Sequence, residues 1–143
     1  MIYTDMTKKA IKVMYEAHGG VTDKAGLPYV FHPYEVASKL DDEVSVTVAL
    51  LHDVVEDTDM TFERLLEKGF PNEVIEILKL LTHDKKVPYM DYIAKIKTSP
   101  IATKVKLADL THNMDLNRID NVTEEDLERI EKYKKAYTYL KEN

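Results

Sequence analysis

Apolar residues recur along this chain three and four positions apart, and no stretch alternates cleanly at period two. The pattern predicts an all-α protein, a bundle of seven or eight helices in a single domain. Thr4 or Asp5 caps a first helix to about Ala17, with Ala10, Ile11, Met14 and Tyr15 as its apolar stripe. His18-Gly19-Gly20 ends it, and a loop runs from Val21 to Tyr29. Val30-Phe31-His32-Pro33 opens a second helix to about Leu40, with Pro33 suited to its first turn. An apolar run from Val44 to Leu51 then leads into His52-Asp53-Val54-Val55-Glu56-Asp57-Thr58. Neither Gly nor Pro interrupts it, so the whole stretch is expected to form one buried helix.

Thr61 caps a short helix, Phe62 to Lys68, stopped by Gly69. Pro71 or Asn72 starts the next, with Val74, Ile75, Ile77, Leu78 and Leu81 inward. A loop, Thr82 to Pro88, leads to a helix from about Tyr89 to Lys97. Ser99-Pro100 starts a long helix expected to reach about Arg118. Thr123-Glu124-Glu125-Asp126 reads as a capping box before a last helix ending near Leu140. Its stripe of Leu127, Ile130, Tyr133, Tyr137 and Leu140 is expected to pack on the core rather than form a dimer seam; the spacing leaves the oligomeric state open.

On the central helix His52 and Glu56 share one face, and Asp53 and Asp57 the neighbouring one. Four ionisable groups at the end of so apolar a run need a reason, because burying unpaired charge is costly. A divalent cation is the simplest, since it pairs with carboxylates and neutral imidazole together. The plainer alternative is a helix emerging into solvent with Glu56, Asp57 and Asp59 as surface acids. That alternative does not account for His52-Asp53 inside the apolar part.

Composition narrows the field. The 143 residues suffice for one domain with a proper core. Without cysteine there is no disulfide framework and no thiolate metal site. No apolar run approaches the roughly 20 residues of a membrane span, and Met1 to Asp5 lacks a signal-peptide pattern, so a cytoplasmic protein is expected. The net charge of −6 argues against nucleic acid as a partner. It permits an anionic small molecule, because a bound cation and local lysines can invert the field.

Two further stretches offer ligands. His32 sits at the mouth of its helix before Pro33, and Asp109 is a lone acid after Leu107-Ala108, one turn before Asn113. His32, His52, Asp53 and Asp109 make a set of two imidazoles and two carboxylates, suited to Mn²⁺, Fe²⁺ or Zn²⁺. Spacing alone does not select these four. His18, His83 and His112 compete, although a lone histidine is more often a capping or surface residue.

His32-Pro33, the run His52-Asp53-Val54-Val55-Glu56-Asp57-Thr58, and Val105-Lys106-Leu107-Ala108-Asp109 with Asn113 resemble the hydrolase domain of the RelA/SpoT family within the HD superfamily. Lys24, Gly26 and Pro28-Tyr29 match that family's approach to its first motif. The resemblance covers about residues 5 to 120, followed by the helix at about 124 to 140, with no room for the family's synthetase and regulatory domains. It implies a stand-alone small alarmone hydrolase, a single HD phosphohydrolase domain over 1–143. His32, His52, Asp53 and Asp109 would hold Mn²⁺, and Glu56 and Asp57 would orient and activate the attacking water. Asn113, Lys24 and Tyr29 would lie along the nucleotide. The reaction implied removes the 3′-pyrophosphate of ppGpp or pppGpp, giving GDP or GTP and pyrophosphate.

Cationic residues should complete the phosphate clamp. Lys24 and Lys106 are candidates, Lys104 reads as an ordinary solvated residue, and Arg118 would face elsewhere on a straight helix, at most a rim residue. The chain departs from the family at Asp23, where the family has an arginine near the guanine base, and at Val21-Thr22. An acid at 23 removes a stacking cation and repels phosphate, or else accepts from guanine's donor edge. Two alternatives therefore stand beside the alarmone reading: an HD-type phosphatase for another nucleotide, such as NADPH or a nucleoside monophosphate, and a non-catalytic nucleotide sensor. The intact Glu56-Asp57 pair argues against the sensor, which needs no water activator.

Overall fold

Helix α3 (Glu43–Leu51) is the axis of the molecule, and every side chain from Ser45 to Leu51 is buried. The computed structural model describes residues 1–142. Before α3 come α1 (Asp5–His18) and α2 (Phe31–Ser38); after it come α4 (Val54–Asp57), α5 (Phe62–Glu67), α6 (Asn72–Leu81), α7 (Tyr89–Ile96), α8 (Pro100–Asn113) and α9 (Glu124–Lys141). A 3₁₀ turn, Leu116–Arg118, separates the last two. Among the described residues the sole β feature is an isolated bridge between Thr22 and Pro28. The all-α expectation therefore holds.

α1, α2, α6 and α8 pack around α3, and α9 closes over α7 and α8. Val46, Val48, Ala49, Leu50 and Leu51 are fully buried and meet Val36, Leu78, Val105 and Leu110 in one apolar core. Removing a buried side chain of the size of Leu50 costs about 2–5 kcal/mol. The helix starts are set by side-chain caps, of which Thr4, Thr61 and Thr123 are legible in the sequence. Thr4 makes a capping box with Thr7, and Thr123 one with Asp126. Asp42 accepts from Ser45 N, and Thr61 from Arg64 N. Each such cap is worth about 1 kcal/mol.

Two expectations need correction. The central stretch is not one helix. His52 Nδ1 donates to the Ala49 carbonyl at 2.5 Å, the acceptor an unbroken helix would offer to the Asp53 N–H. Asp53 sits at φ −101, ψ −3, and a fresh helical turn starts at Val54. The long helix after Pro100 ends at Asn113 rather than near Arg118. Asp115 caps the 3₁₀ turn by accepting from Asn117 N, and the chain bends back so that Arg118 Nη1 donates to the His112 carbonyl.

Candidate metal and phosphate site

The break after α3 carries His52 and Asp53 off the helix axis toward α2 and α8. His32 comes from the first turn of α2 and Asp109 from the third turn of α8. His32 Nε2 lies 2.8 Å from Asp109 Oδ1 and 3.7 Å from Asp53 Oδ2. His52 Nε2 lies 3.1 Å from Asp53 Oδ2 and 3.3 Å from Asp109 Oδ1. One atom from each residue falls within 4.8 Å of all the others. Ligands each about 2.1 Å from one ion stand about 3–4 Å apart, so the four need little movement to share one.

The donor set fits a cation chemically. Because Ala49 O can only accept, His52 carries a proton on Nδ1, and neutral His52 points a lone pair from Nε2 at carboxylate oxygens. Lone pairs facing one another need a proton or a cation between them. Each of the four side chains also has its own outer partner. These are Ala49 O for His52, His112 for His32, the Tyr29 hydroxyl (2.5 Å) for Asp53, and Lys106 (2.9 Å) with Asn113 (3.1 Å) for Asp109. Such outer partners orient metal ligands and tune their basicity.

Protonation follows the crowding. Burial opposes charge at Asp53 and Asp109, but His52, His32 and Lys106 outweigh it. Asp53 is brought down to about 2 and Asp109 is held well below the usual carboxylate range. Burial likewise opposes charge on His52 and Lys106, and the neighbouring carboxylates raise both well above their ordinary values. Glu56 and Asp57 move the other way, raised by burial and then by Asp53. Burial, then Arg118, brings His112 down to about 4.

Around the cluster opens a cavity of about 540 Å³. Nine of the ten residues singled out from sequence line it: His32, Asp53 and Asp109; Glu56 and Asp57; and Lys24, Tyr29, Lys106 and Asn113. His52 lies behind them. Lys106 is not a free phosphate clamp, since its ammonium is committed to Asp109 and covered by the Tyr92 ring. Lys104 pairs with Asp42 at 2.6 Å, away from the cavity, as its solvated reading implied. Tyr29 is bonded to Asp53 and lies near Asp57, so it serves the cluster as well as the cavity.

Sequence reasoning undervalued four residues. His112 stacks on His32 and shares a hydrogen bond with it. His18 is buried in the cavity wall, and its Nε2 has no hydrogen-bond partner among the described residues. Arg118 lines the cavity because α8 stops early. Tyr133 reaches the cavity from α9, beside Ile130, while Leu127 of the same stripe is exposed rather than packed on the core. Only the histidines carried a signal, as three of five in a chain without cysteine that the proposed ligand set left unused.

No family model matches the chain. Guanosine-3′,5′-bis(diphosphate) 3′-pyrophosphohydrolase MESH1 of Danio rerio is 42% identical over 108 residues, 67% of this chain and 59% of that protein. Bifunctional (p)ppGpp synthase/hydrolase SpoT of Escherichia coli K12 is 37% identical over 123 residues, 75% of this chain and 17% of that one. A GTP pyrophosphokinase of Myxococcus xanthus is 35% identical over 144 aligned positions, 88% of this chain and 19% of that one. The chain thus spans less than a fifth of each of these two long relatives and about three fifths of the Danio rerio protein. A solved structure of a metazoan orthologue of SpoT that hydrolyses ppGpp superposes with a TM-score of 0.77 at 26% identity, over 98% of this chain and 87% of that one. Sequence relatives and the structural match together support a small HD-type hydrolase domain of the RelA/SpoT kind.

Proposed function

We propose that this chain is a metal-dependent phosphohydrolase that removes the 3′-pyrophosphate of ppGpp or pppGpp, releasing GDP or GTP. The observation that carries it is the convergence of His32, His52, Asp53 and Asp109 within 4.8 Å, at the wall of a cavity that Glu56 and Asp57 also line. Those four residues would hold the cation, which we take to be Mn²⁺. When bound, such an ion supplies a Lewis acid that makes water acidic near neutral pH and offsets the charge of a phosphate chain.

The remaining work falls to the protein's own groups. Glu56, with its proton affinity raised by burial and by Asp53 and Asp57, is suited to take the proton of the attacking water. Asp57 orients that water and shares the Tyr29 hydroxyl with Asp53 at 3.4 Å. Lys24 and Arg118, two of the cations on the cavity wall, would meet phosphate, and Asn113 and Tyr29 would flank the nucleotide. Lys106 acts through Asp109 by holding its carboxylate ionised. We further infer a cytoplasmic protein with a small-molecule nucleotide substrate and no role for nucleic acid or membrane. Asp23 on the same wall is the observation that favours a second reading, a phosphatase for a different phosphorylated nucleotide.

Pyrophosphate release from ppGpp by metal-stripped protein tests the proposal, with Mn²⁺ added back and Asp53→Ala as control. Mn²⁺-dependent release that the variant lacks supports it. Absence of release by folded, Mn²⁺-loaded protein overturns the alarmone assignment.

A further inference from the structure

His32 and His112 meet through the same atom of each ring, Nδ1 to Nδ1 at 2.7 Å. The rings stack at 5.0 Å with 16° between their planes. Two such nitrogens form a hydrogen bond only when one carries the proton and the other offers its lone pair. The other nitrogen of His32, Nε2, faces Asp109 Oδ1 at 2.8 Å and Asp53 Oδ2 at 3.7 Å. An imidazole ligates a metal through an unprotonated nitrogen. With Nε2 as the ligating atom, the single proton of neutral His32 sits on Nδ1. His112 Nδ1 must then accept, and His112 carries its own proton on Nε2.

We propose that His112 is a positioning residue, a neutral hydrogen-bond acceptor that holds His32 in its cation-binding tautomer. The proposal rests on the metal reading of the site and goes beyond it by assigning a function to a residue outside the ligand set. Orienting partners of metal-bound histidines are usually carboxylates, carbonyls or waters. A carboxylate or a carbonyl can only accept, whereas an imidazole can also donate. The reverse arrangement satisfies the same contacts in the metal-free protein, with His112 Nδ1–H donating to His32 Nδ1 and His32 Nε2–H to Asp109. Cation loading would favour the first arrangement, in which His32 Nε2 is unprotonated and His112 Nδ1 accepts. The Arg118 guanidinium pins the backbone that carries this ring, donating to the His112 carbonyl at 2.9 Å.

The test is Mn²⁺ affinity of the full metal-stripped chain by titration calorimetry, for the unmodified protein, His112→Asn and His112→Phe. Asn places a carbonyl oxygen near the Nδ1 position and retains an acceptor, while Phe retains the stack without one. His112→Phe should bind Mn²⁺ about 10- to 100-fold more weakly, with His112→Asn within about threefold of the unmodified protein. Equal affinity of His112→Phe and the unmodified protein overturns the proposal. Equal weakening of both variants also overturns it, because the loss then belongs to the ring and not to the acceptor. Nitrogen-15 spectra of the Zn²⁺-loaded protein give a second readout: an unprotonated His112 Nδ1 supports the assignment, and a protonated one overturns it. Failure of the unmodified protein to bind Mn²⁺ overturns the metal reading, and this proposal with it, and is seen before any variant is made.

Discussion

Asp23 and Arg118 stand 95 positions apart and meet on the cavity wall, Oδ2 to Nη2 at 3.4 Å. The other oxygen of Asp23 accepts from the N–H groups of Ala25 and Leu27, so the acid organises its own loop before it faces the arginine. Where the family resemblance implies an arginine, this chain has a carboxylate and draws a cation from the turn after α8. Arg118→Ala leaves the Asp23 charge uncompensated on the wall proposed to meet phosphate. The KM for ppGpp should rise about tenfold, equivalent to about 1.4 kcal/mol, with kcat changing less. An unchanged KM would show that Arg118 serves only the loop.

Lys106 and Asp109 form a buried ion pair at 2.9 Å, with side chains 12% and 5% exposed. Removing one partner of such a pair costs about 3–5 kcal/mol, because the other charge stays buried and unpaired. Lys106→Met should therefore lower the unfolding free energy of the metal-stripped protein by about 3 kcal/mol. Urea unfolding of the two proteins measures this. A loss below about 1 kcal/mol would place Lys106 among ordinary solvated lysines.

A cation that binds the folded cluster and not the unfolded chain raises stability by mass action. At 100 times its dissociation constant the gain is about 2.7 kcal/mol, which for a domain of this size is a rise in Tm of about 5–10 °C. Mn²⁺ added to stripped protein should give that rise, and Asp109→Ala should remove it. A rise that survives in Asp109→Ala would move the binding site elsewhere.

Asp42 caps α3 by accepting from Ser45 N and pairs with Lys104 at its edge. Burial opposes its charge, but Lys104 and the Ser45 N–H prevail and bring its pKa below the ordinary 3.8. A lowered folded-state pKa makes the contribution fully present above the unfolded value and lost as pH falls through the folded one. Asp42→Ala should cost about 1 kcal/mol at neutral pH, and the difference should shrink as the pH falls below the ordinary 3.8 and through the lowered folded-state value. Unfolding curves at neutral pH and in acid test this. A pH-independent difference would assign the loss to something other than the carboxylate.

Most helix starts were legible because each signal is local. Thr4, Thr61, Ser99 and Thr123 each accept from the backbone N–H of the third residue of their helices. Ligand candidates were legible as acids and imidazoles in apolar company, although their assembly by α2, α3 and α8 became an expectation only through the resemblance to a family. What stayed hidden depends on competition at single atoms. The break after α3 arises because the His52 ring takes the Ala49 carbonyl, and the residue pattern around it remains fully helical. The end of α8 follows from the Asp115 cap, which restarts the chain toward Asp23 and brings Arg118 into the site. His112 gained its place from a stacking partner 80 positions earlier, a separation no local pattern encodes.

The central claim is that this cluster directs water to the 3′-pyrophosphate of ppGpp, and the identity and labelling of the products test it most directly. Mn²⁺-loaded protein is incubated with ppGpp in oxygen-18 water, beside Glu56→Ala. The expected result is GDP and pyrophosphate in equal amounts, with the heavy oxygen in the pyrophosphate and turnover lost in the variant. Orthophosphate as the released product, or equal turnover by Glu56→Ala, would contradict it.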